Sequence, residues 1–428
     1  MEVYDTIAYC FVLISKKNNS TTGYSFNFNE EHNTMITVAE AKKLILENTE
    51  SMPPTRLPLE QAAGLVLAED LYAITDIPAY AQSSMDGYPL SFSGWKQYKK
   101  LKMAGMVAAG SEDRPLLSPE EAVRIFTGAA IPDGADTVVI QEKSRTENGE
   151  LFIEDPVLEQ GANVRPKGSE IKTGELALSK NSRLSPAAIG FLSGIGITHV
   201  NVYPAPSVSI IVTGNELQEP GKPLKHGQVY ESNSYTLRAV LQQMQISNIT
   251  VYTAADSLDK VTSVLAEALD TSDIVLLNGG ISVGDFDFVL KATENCGITK
   301  IFHKIKQKPG KPIFFGKKEQ KIIFGLPGNP ASVLTCFYEY VTISLEKLFR
   351  CRTGMQIIYA PLSNDFKKPA GLTHFLKGFY DGQTVMTLDA QESFRLSSFA
   401  RANCLIVLNE EETESVKGEI VEVHLLPV

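Results

Sequence analysis

The chain predicts a multidomain protein of the α/β plus β class. It comprises a doubly wound α/β domain, an inserted β-rich domain, a split helical domain and a small C-terminal β domain. Three observations carry this. From Pro206 onward, apolar runs of strand length alternate with amphipathic helical stretches, the pattern of a parallel sheet covered by helices on both faces. Between about 70 and 175 the chain shows short strands and many turns, with helical patterning on either side. After about 356 short strands return, from Cys404 to Leu408 and from Ile420 to His424. A chain of 428 residues, 43% hydrophobic and 21% charged, has the length and composition for several cores.

Taken in order, residues 1–34 are expected to be a disordered or artefactual N-terminal extension. Thr6 to Ile14 is apolar but short and preceded by acids, no small-residue cleavage site follows, and Ser20 to Asn33 is polar. Residues 35–60 and 175–205 make the split helical domain. Thr37 reads as an N-cap with Glu40 completing a capping box; Val38, Ala41, Leu44 and Ile45 share one face; Pro53 and Pro54 end the helix. Ser185 caps a second helix with Pro186 at its first position. Residues 61–174 are the inserted domain. Gln61 to Asp70 reads as a short Ala/Leu-rich helix. Strands follow at Thr137 to Glu142 and Leu151 to Glu154, with a turn at Glu147 to Gly149. Residues 206–355 are the α/β domain, with strands from Val208, Ile249 and Ile274 and helices from Ser232 to Gln243 and Leu258 to Leu269. Residues 356–428 form the last β domain.

A net charge of -10 argues against broad nucleic-acid binding, and no apolar run approaches the ~18 residues of a membrane span. Five cysteines without a CxxC pair read as reduced thiols of a cytoplasmic protein. The six histidines show no HExxH spacing, which speaks against a permanent zinc or iron site.

The chemistry concentrates in loops. The run Asn278 to Asp287 follows a buried-strand pattern and holds Gly279, Gly280, Ser282, Gly284, Asp285 and Asp287. Glycines there let the backbone approach a ligand, Ser282 and N–H groups can donate to an anion, and Asp285 and Asp287 can hold a divalent cation. A second Gly-rich turn, Gly325 to Pro330, contains Pro327, Gly328 and Asn329. Both, with Gly214 to Glu216, should cluster at the carboxyl ends of the strands, where such sheets bind ligands.

Other motifs admit two readings. Asp86 precedes Gly87, which fits an ordinary turn or a carboxylate held toward a ligand. Thr127 beside Gly128 either caps a turn or donates to an anion. Arg165 and Lys167 form either a solvated loop or an oxyanion clamp. Glu216 is a solvent-facing carboxylate or a ligand contact. Lys304, Lys306, Lys308 and Lys311 form a solvated face or the partners of an anionic substrate, stiffened by the Pro309 to Pro312 turn.

Six of these motifs occur together and in order: Ser84 to Tyr88, Thr127 to Pro132, Thr213 to Leu217, Gly279 to Asp285, Lys308 to Pro312 and Gly325 to Pro330. In that order they resemble the MoeA family of molybdopterin molybdenumtransferases, which includes the gephyrin E domain. The resemblance covers essentially all of 35–428. It implies a molybdopterin-binding role for the α/β domain and a homodimer whose cleft receives residues from both subunits. It implies molybdenum insertion into adenylated molybdopterin with release of AMP, assisted by Mg²⁺, with molybdate and adenylated molybdopterin as substrates. Asp285, Asp287, Glu216 and Asp86 would surround the metal and substrate, with Asp285, Asp287 and Glu216 as metal ligands. Ser282, Lys308 and Lys311 would hold the phosphate and pterin arm. Asn329, Pro327 and Gly328 would serve the pterin, beside Gly279, Gly280 and Gly284. Thr127, Arg165 and Lys167 would face molybdate. A separate molybdopterin adenylyltransferase would supply the substrate and downstream molybdoenzymes would take the product.

Two departures stand out. Where the family often has Gly-Glu-Asp-Ile, this chain has Gly168, Ser169, Glu170 and Ile171. An arginine of the family's last domain stands here as Lys377, which predicts a changed anion contact. The rival readings are a non-catalytic dimeric molybdopterin-binding scaffold and a relative that uses tungstate.

Overall fold

The computed structural model describes residues 35–113, 115–280, 288–352 and 354–427. Residues 1–34 lie outside these. The central sheet has the order Ile249–Ala254, Val208–Thr213, Ile274–Asn278, Lys321–Leu326, Phe314–Lys318, Thr299–His303. The first four strands run parallel, Phe314–Lys318 runs against them, and Thr299–His303, antiparallel to it, returns to their direction. Val208–Thr213 and Ile274–Asn278 are buried along their whole length, which explains their continuous apolar patterning. Helices Asn233–Gln243 and Leu258–Thr271 match the expected positions. They feed separate apolar clusters, Leu237 and Leu241 in one and Val261, Leu265 and Leu269 in the other, so the sheet is covered on both faces.

The helix Val38–Asn48 is capped by the Thr37 hydroxyl, which accepts from Glu40 N at 3.2 Å. Its buried Ala41 and Ile45 join the core of the central sheet, where it lies against Thr342–Phe349.

The segment 61–70 is not a helix. It forms the short strand Val66–Leu67, which pairs with His199–Tyr203 in a three-stranded antiparallel sheet completed by Thr55–Pro58. Gly64 at φ 82° breaks the helical path, and its N–H bonds to Leu184 O at 2.8 Å. Local Ala/Leu propensity is overridden by this tertiary pairing. The pieces flanking the inserted domain therefore meet through strands, with helix Pro186–Gly194 packed beside them.

The inserted region carries a six-stranded sheet in the order Thr137–Ile140, Gly87–Leu90, Glu121–Ile125, Lys100–Val107, Glu150–Ile153, Ser144–Glu147. Asn148 and Gly149 take positive φ at its hairpin, as the Asn-Gly pair predicts. The C-terminal sheet runs Gln307–Lys308, Thr373–Tyr380, Cys404–Leu408, Ile420–Leu425, Gln356–Pro361, so it borrows its first strand from the α/β region. Cys296, Cys336, Cys351 and Cys404 are free thiols, and among the described residues no helix is long and apolar enough to cross a membrane.

Candidate active site

Two groups of predicted residues form separate clusters. The first lies on the inserted domain. Val164–Arg165 pairs with Gln82–Ser83, and Ser84 N donates to Asn163 O at 2.9 Å, so the loop of Arg165 lies beside that of Asp86. Ser83 N donates to Ala129 O, and Gly128 N donates back to Ser83 O, which brings Thr127 to the same place. Asp86 Oδ1 then accepts both the Thr127 N–H and its hydroxyl, each at 2.8 Å. These two bonds, the backbone one foremost, hold the Asp86 carboxyl below its ordinary value, with Arg124 adding a smaller pull. Arg124 is itself stacked over the Tyr88 and Phe126 rings.

Lys167 is engaged differently. Its ammonium lies 3.2 Å from Asp76 Oδ2, while Asp76 Oδ1 accepts the Thr173 N–H and hydroxyl at 2.8 and 2.9 Å. Asp76 thus repeats the arrangement at Asp86 and offsets one of the two cations of this loop.

The second cluster lies at the carboxyl end of the parallel strands. Gly279 and Gly280 take φ of 97° and 65°, and a Cβ on Gly279 would sit 2.5 Å from Thr213 O and 2.8 Å from its hydroxyl. The turn after Ile274–Asn278 is clasped to the turn after Lys321–Leu326 by two asparagines. Asn278 Nδ2 donates to Pro327 O at 2.9 Å, and Asn233 Nδ2 donates to Asn278 Oδ1 at 2.7 Å and Gly328 O at 2.8 Å. Asn329 donates to Ser393 Oγ at 2.8 Å, which ties this turn to the C-terminal domain.

Among the described residues, two buried polar atoms of this cluster have no hydrogen-bond partner: the Thr213 hydroxyl and Asn233 Oδ1. An unsatisfied buried polar group costs about 1–3 kcal/mol, and a bound polar ligand removes that cost. Thr213, Asn233 and Asn278 were not singled out as site residues from the sequence. The signal that could have found them is a polar residue closing, or directly following, an otherwise apolar strand–loop unit.

Glu216 is exposed beside Asn215, whose N–H is bonded to Asp256 Oδ2 at 3.0 Å. Lys308 and Lys311 are both exposed on one turn. Lys308 pairs in register with His374, which burial and then the charges of Lys368 and Lys308 push down to about 4. Ser282, Gly284, Asp285 and Asp287 lie outside the described residues.

Lys377 corrects an expectation. It is buried, and its ammonium donates to the carbonyls of Ala390, Glu392 and Arg395 at 2.6, 3.2 and 3.1 Å. Its three donors are consumed by backbone, so it offers no contact to an anion. Glu170 is exposed, with its N–H on Ile77 O at 2.9 Å.

Among the described residues no group of three or more His, Cys, Asp or Glu gathers as a metal cage. A Mg²⁺ site needs only one or two carboxylates completed by substrate phosphate and water. Glu216, an exposed carboxylate at the sheet's ligand end, has the hard oxygen donors such an ion takes. Among the described residues, no hydrogen bond or ion pair joins the Asp86 cluster to this second cluster.

Comparison with known proteins bears on the whole chain. Three family descriptions match in order: "MoeA N-terminal region (domain I and II)" over 36–196, "Probable molybdopterin binding domain" over 209–347 and "MoeA C-terminal region (domain IV)" over 359–426. The chain is 35% identical to the molybdopterin molybdenumtransferase of Haemophilus influenzae over 406 residues, covering 92% of this chain and 100% of that protein. It is 32% identical to the enzyme of that name from Staphylococcus aureus, covering 92% and 96%. Among solved structures it resembles the molybdopterin biosynthesis MoeA protein of Pyrococcus horikoshii, with TM-score 0.78, 29% identity and coverage of 92% and 99%.

Proposed function

The chain belongs to the MoeA family, and on that premise we infer that it is a molybdopterin molybdenumtransferase, which inserts molybdenum into adenylated molybdopterin in the final step of molybdenum cofactor biosynthesis, with release of AMP. The observation that carries this reading is the clasp of Asn233 and Asn278 across two Gly-rich turns. Beside it, buried polar atoms of Thr213 and Asn233 have no partner among the described residues, where such sheets bind ligands.

The division of labour follows from the chemistry of each cluster. Cleaving a phosphoanhydride places negative charge on phosphate oxygens, which cations must offset. Lys308 and Lys311 supply fixed ammonium groups for the phosphate arm. Thr213, Asn233, Asn329 and the Gly279 and Gly328 backbones supply short-range polar contacts for the pterin. Glu216, with Asp285 and Asp287, would hold Mg²⁺, which when bound neutralises phosphate charge. Thr127 keeps Asp86 ionised and oriented. Arg165, with no ion-pair partner among the described residues where Lys167 is paired with Asp76, is the cation for incoming molybdate.

The separation of the two clusters supports a homodimer, in which the Asp86 cluster of one subunit completes the sheet-end cluster of its partner. The free thiols fit a cytoplasmic location, and the adenylated substrate calls for a separate adenylyltransferase upstream. Titrating AMP release from adenylated molybdopterin against molybdate tests the reading. Release that rises with molybdate supports the transferase, and a bound but uncleaved adenylate favours a scaffold.

A further inference from the structure

The turn that carries Lys308 and Lys311 keeps both lysines at the surface and its carbonyls inside. Gln307 is fully buried beneath it. Its amide nitrogen donates to Pro309 O at 3.0 Å and to Gly310 O at 3.1 Å. The Cys336 thiol donates to the same Gly310 O at 3.6 Å, and Ile305 N donates to Lys311 O at 3.0 Å. Three consecutive carbonyls of the turn are thus satisfied from below. The Gln307 carbonyl oxygen in turn accepts from the Tyr340 hydroxyl, which is also fully buried.

Nothing about packing alone calls for a glutamine here. Burying a primary amide costs free energy unless each polar atom is bonded, and leucine would fill a similar volume without that cost. The contacts made by its nitrogen go to the turn and to the Cys336 sulfur that also supports it. Tyr340 belongs to the π-helical turn Phe337–Val341, where Glu339 is equally buried. Burial holds the Tyr340 hydroxyl well above its ordinary value, so it remains a donor to Gln307. Gly310, at φ 85°, closes the arrangement: a Cβ there would lie 2.5 Å from Cys336 Sγ.

Resting on the transferase reading, we propose that Gln307 is a positioning residue for the reaction, held in place by Tyr340. It fixes the direction and spacing of Lys308 and Lys311, so that their ammonium groups meet the anionic arm of the substrate already arranged. Ordering of the lysine turn is then complete before the substrate binds.

The test measures binding and turnover on the same proteins: wild type, Gln307→Leu and Tyr340→Phe. Calorimetric titration with adenylated molybdopterin, molybdate omitted, gives Kd; AMP release with molybdate gives KM and kcat. Gln307→Leu is expected to weaken Kd and raise KM about 10- to 100-fold, with kcat changed less than about threefold. Its affinity should also fall less steeply with added salt than that of wild type, because displaced lysines contribute less charge. Tyr340→Phe, which removes one oxygen and keeps the ring, is expected to show a smaller shift in the same direction. Kd within twofold of wild type in both variants would overturn the proposal, as would a loss confined to kcat. Wild-type turnover is a separate readout. If wild type binds but does not release AMP, the transferase reading fails while the variant-to-wild-type ratio of Kd still decides the role of Gln307. If wild type does not bind, both fail.

Discussion

Asp86 and Thr127 stand 41 residues apart in the chain, yet Thr127 places both its N–H and its hydroxyl on one oxygen of Asp86, at 2.8 Å each. Both bonds fall on Oδ1, which fixes the carboxylate plane and leaves Oδ2 available to a ligand. They also hold the carboxyl below its ordinary 3.8.

Asp86→Asn retains the shape and removes the charge. It is expected to lower kcat/KM for AMP release by about 100-fold, the size of a lost electrostatic contact in an active site, with little change in melting temperature. Because the wild-type carboxyl is depressed, any acid limb of activity due to Asp86 should lie below pH 3.8. A limb above that value, removed by Asp86→Asn, would contradict the assignment.

Thr213→Val separates a ligand contact from a structural one. The hydroxyl is buried and has no partner among the described residues, so the isosteric valine should leave the melting temperature unchanged or raise it. Affinity for adenylated molybdopterin should nevertheless fall about tenfold, the value of one hydrogen bond. Unchanged affinity would remove Thr213 from the site.

A buried charge network fastens the C-terminal domain. Glu339, fully buried, bonds to Lys42 and to His424 Nδ1 at 2.6 Å each, and His424 Nε2 lies 2.8 Å from Glu422. Burial alone would raise Glu339, but Lys42 and His424 outweigh it and bring it down to about 2. Burial alone would lower His424, but Glu339 and then Glu422 raise it above 6.5. The depressed carboxyl stabilises the fold above pH 4.5, and that contribution is lost as pH falls toward 2. The raised imidazole stabilises it below pH 6.5, and that contribution is lost as pH rises through its folded value. Melting temperature should therefore peak between about 4.5 and 6.5 for this network. His424→Gln should flatten the alkaline limb, and Glu339→Gln should cost about 3–5 kcal/mol. An alkaline limb that survives in His424→Gln would sink this account.

Lys377→Met tests the corrected role of that lysine. Three carbonyls each lose one donor but keep a second, the Ser398 hydroxyl at Ala390 O and Arg395 O and the Arg395 N–H at Glu392 O, so thermal stability should drop by only about 1 kcal/mol. The molybdate KM should stay within twofold of wild type; a large rise would restore the anion contact.

Much of this was legible in the chain. The buried strands Val208–Thr213 and Ile274–Asn278, the Thr37 cap, the Ser185 cap and the Asn148 hairpin each follow from a local rule that nothing opposed. The strand Val66–Leu67 was not legible, because its partner His199–Tyr203 is remote in sequence and overrides an Ala/Leu-rich stretch that favours helix. The site divides in the same way. Glycine turns and charged loops announce themselves by composition. The residues that aim them, Asn233, Asn278 and Gln307, do not, since a buried amide is recognisable only once the carbonyls it meets are in place. Lys377 failed for the converse reason: its charge pointed to an anion, while its three bonds go to backbone.

The most direct test is AMP release from adenylated molybdopterin by the wild-type protein, with Mg²⁺, across a molybdate titration. Asp86→Asn and Asp287→Asn run in parallel. The account predicts release that depends on molybdate in the wild type and falls by about 100-fold in Asp86→Asn. Release independent of molybdate, or binding of the adenylate with no release at all, would contradict it.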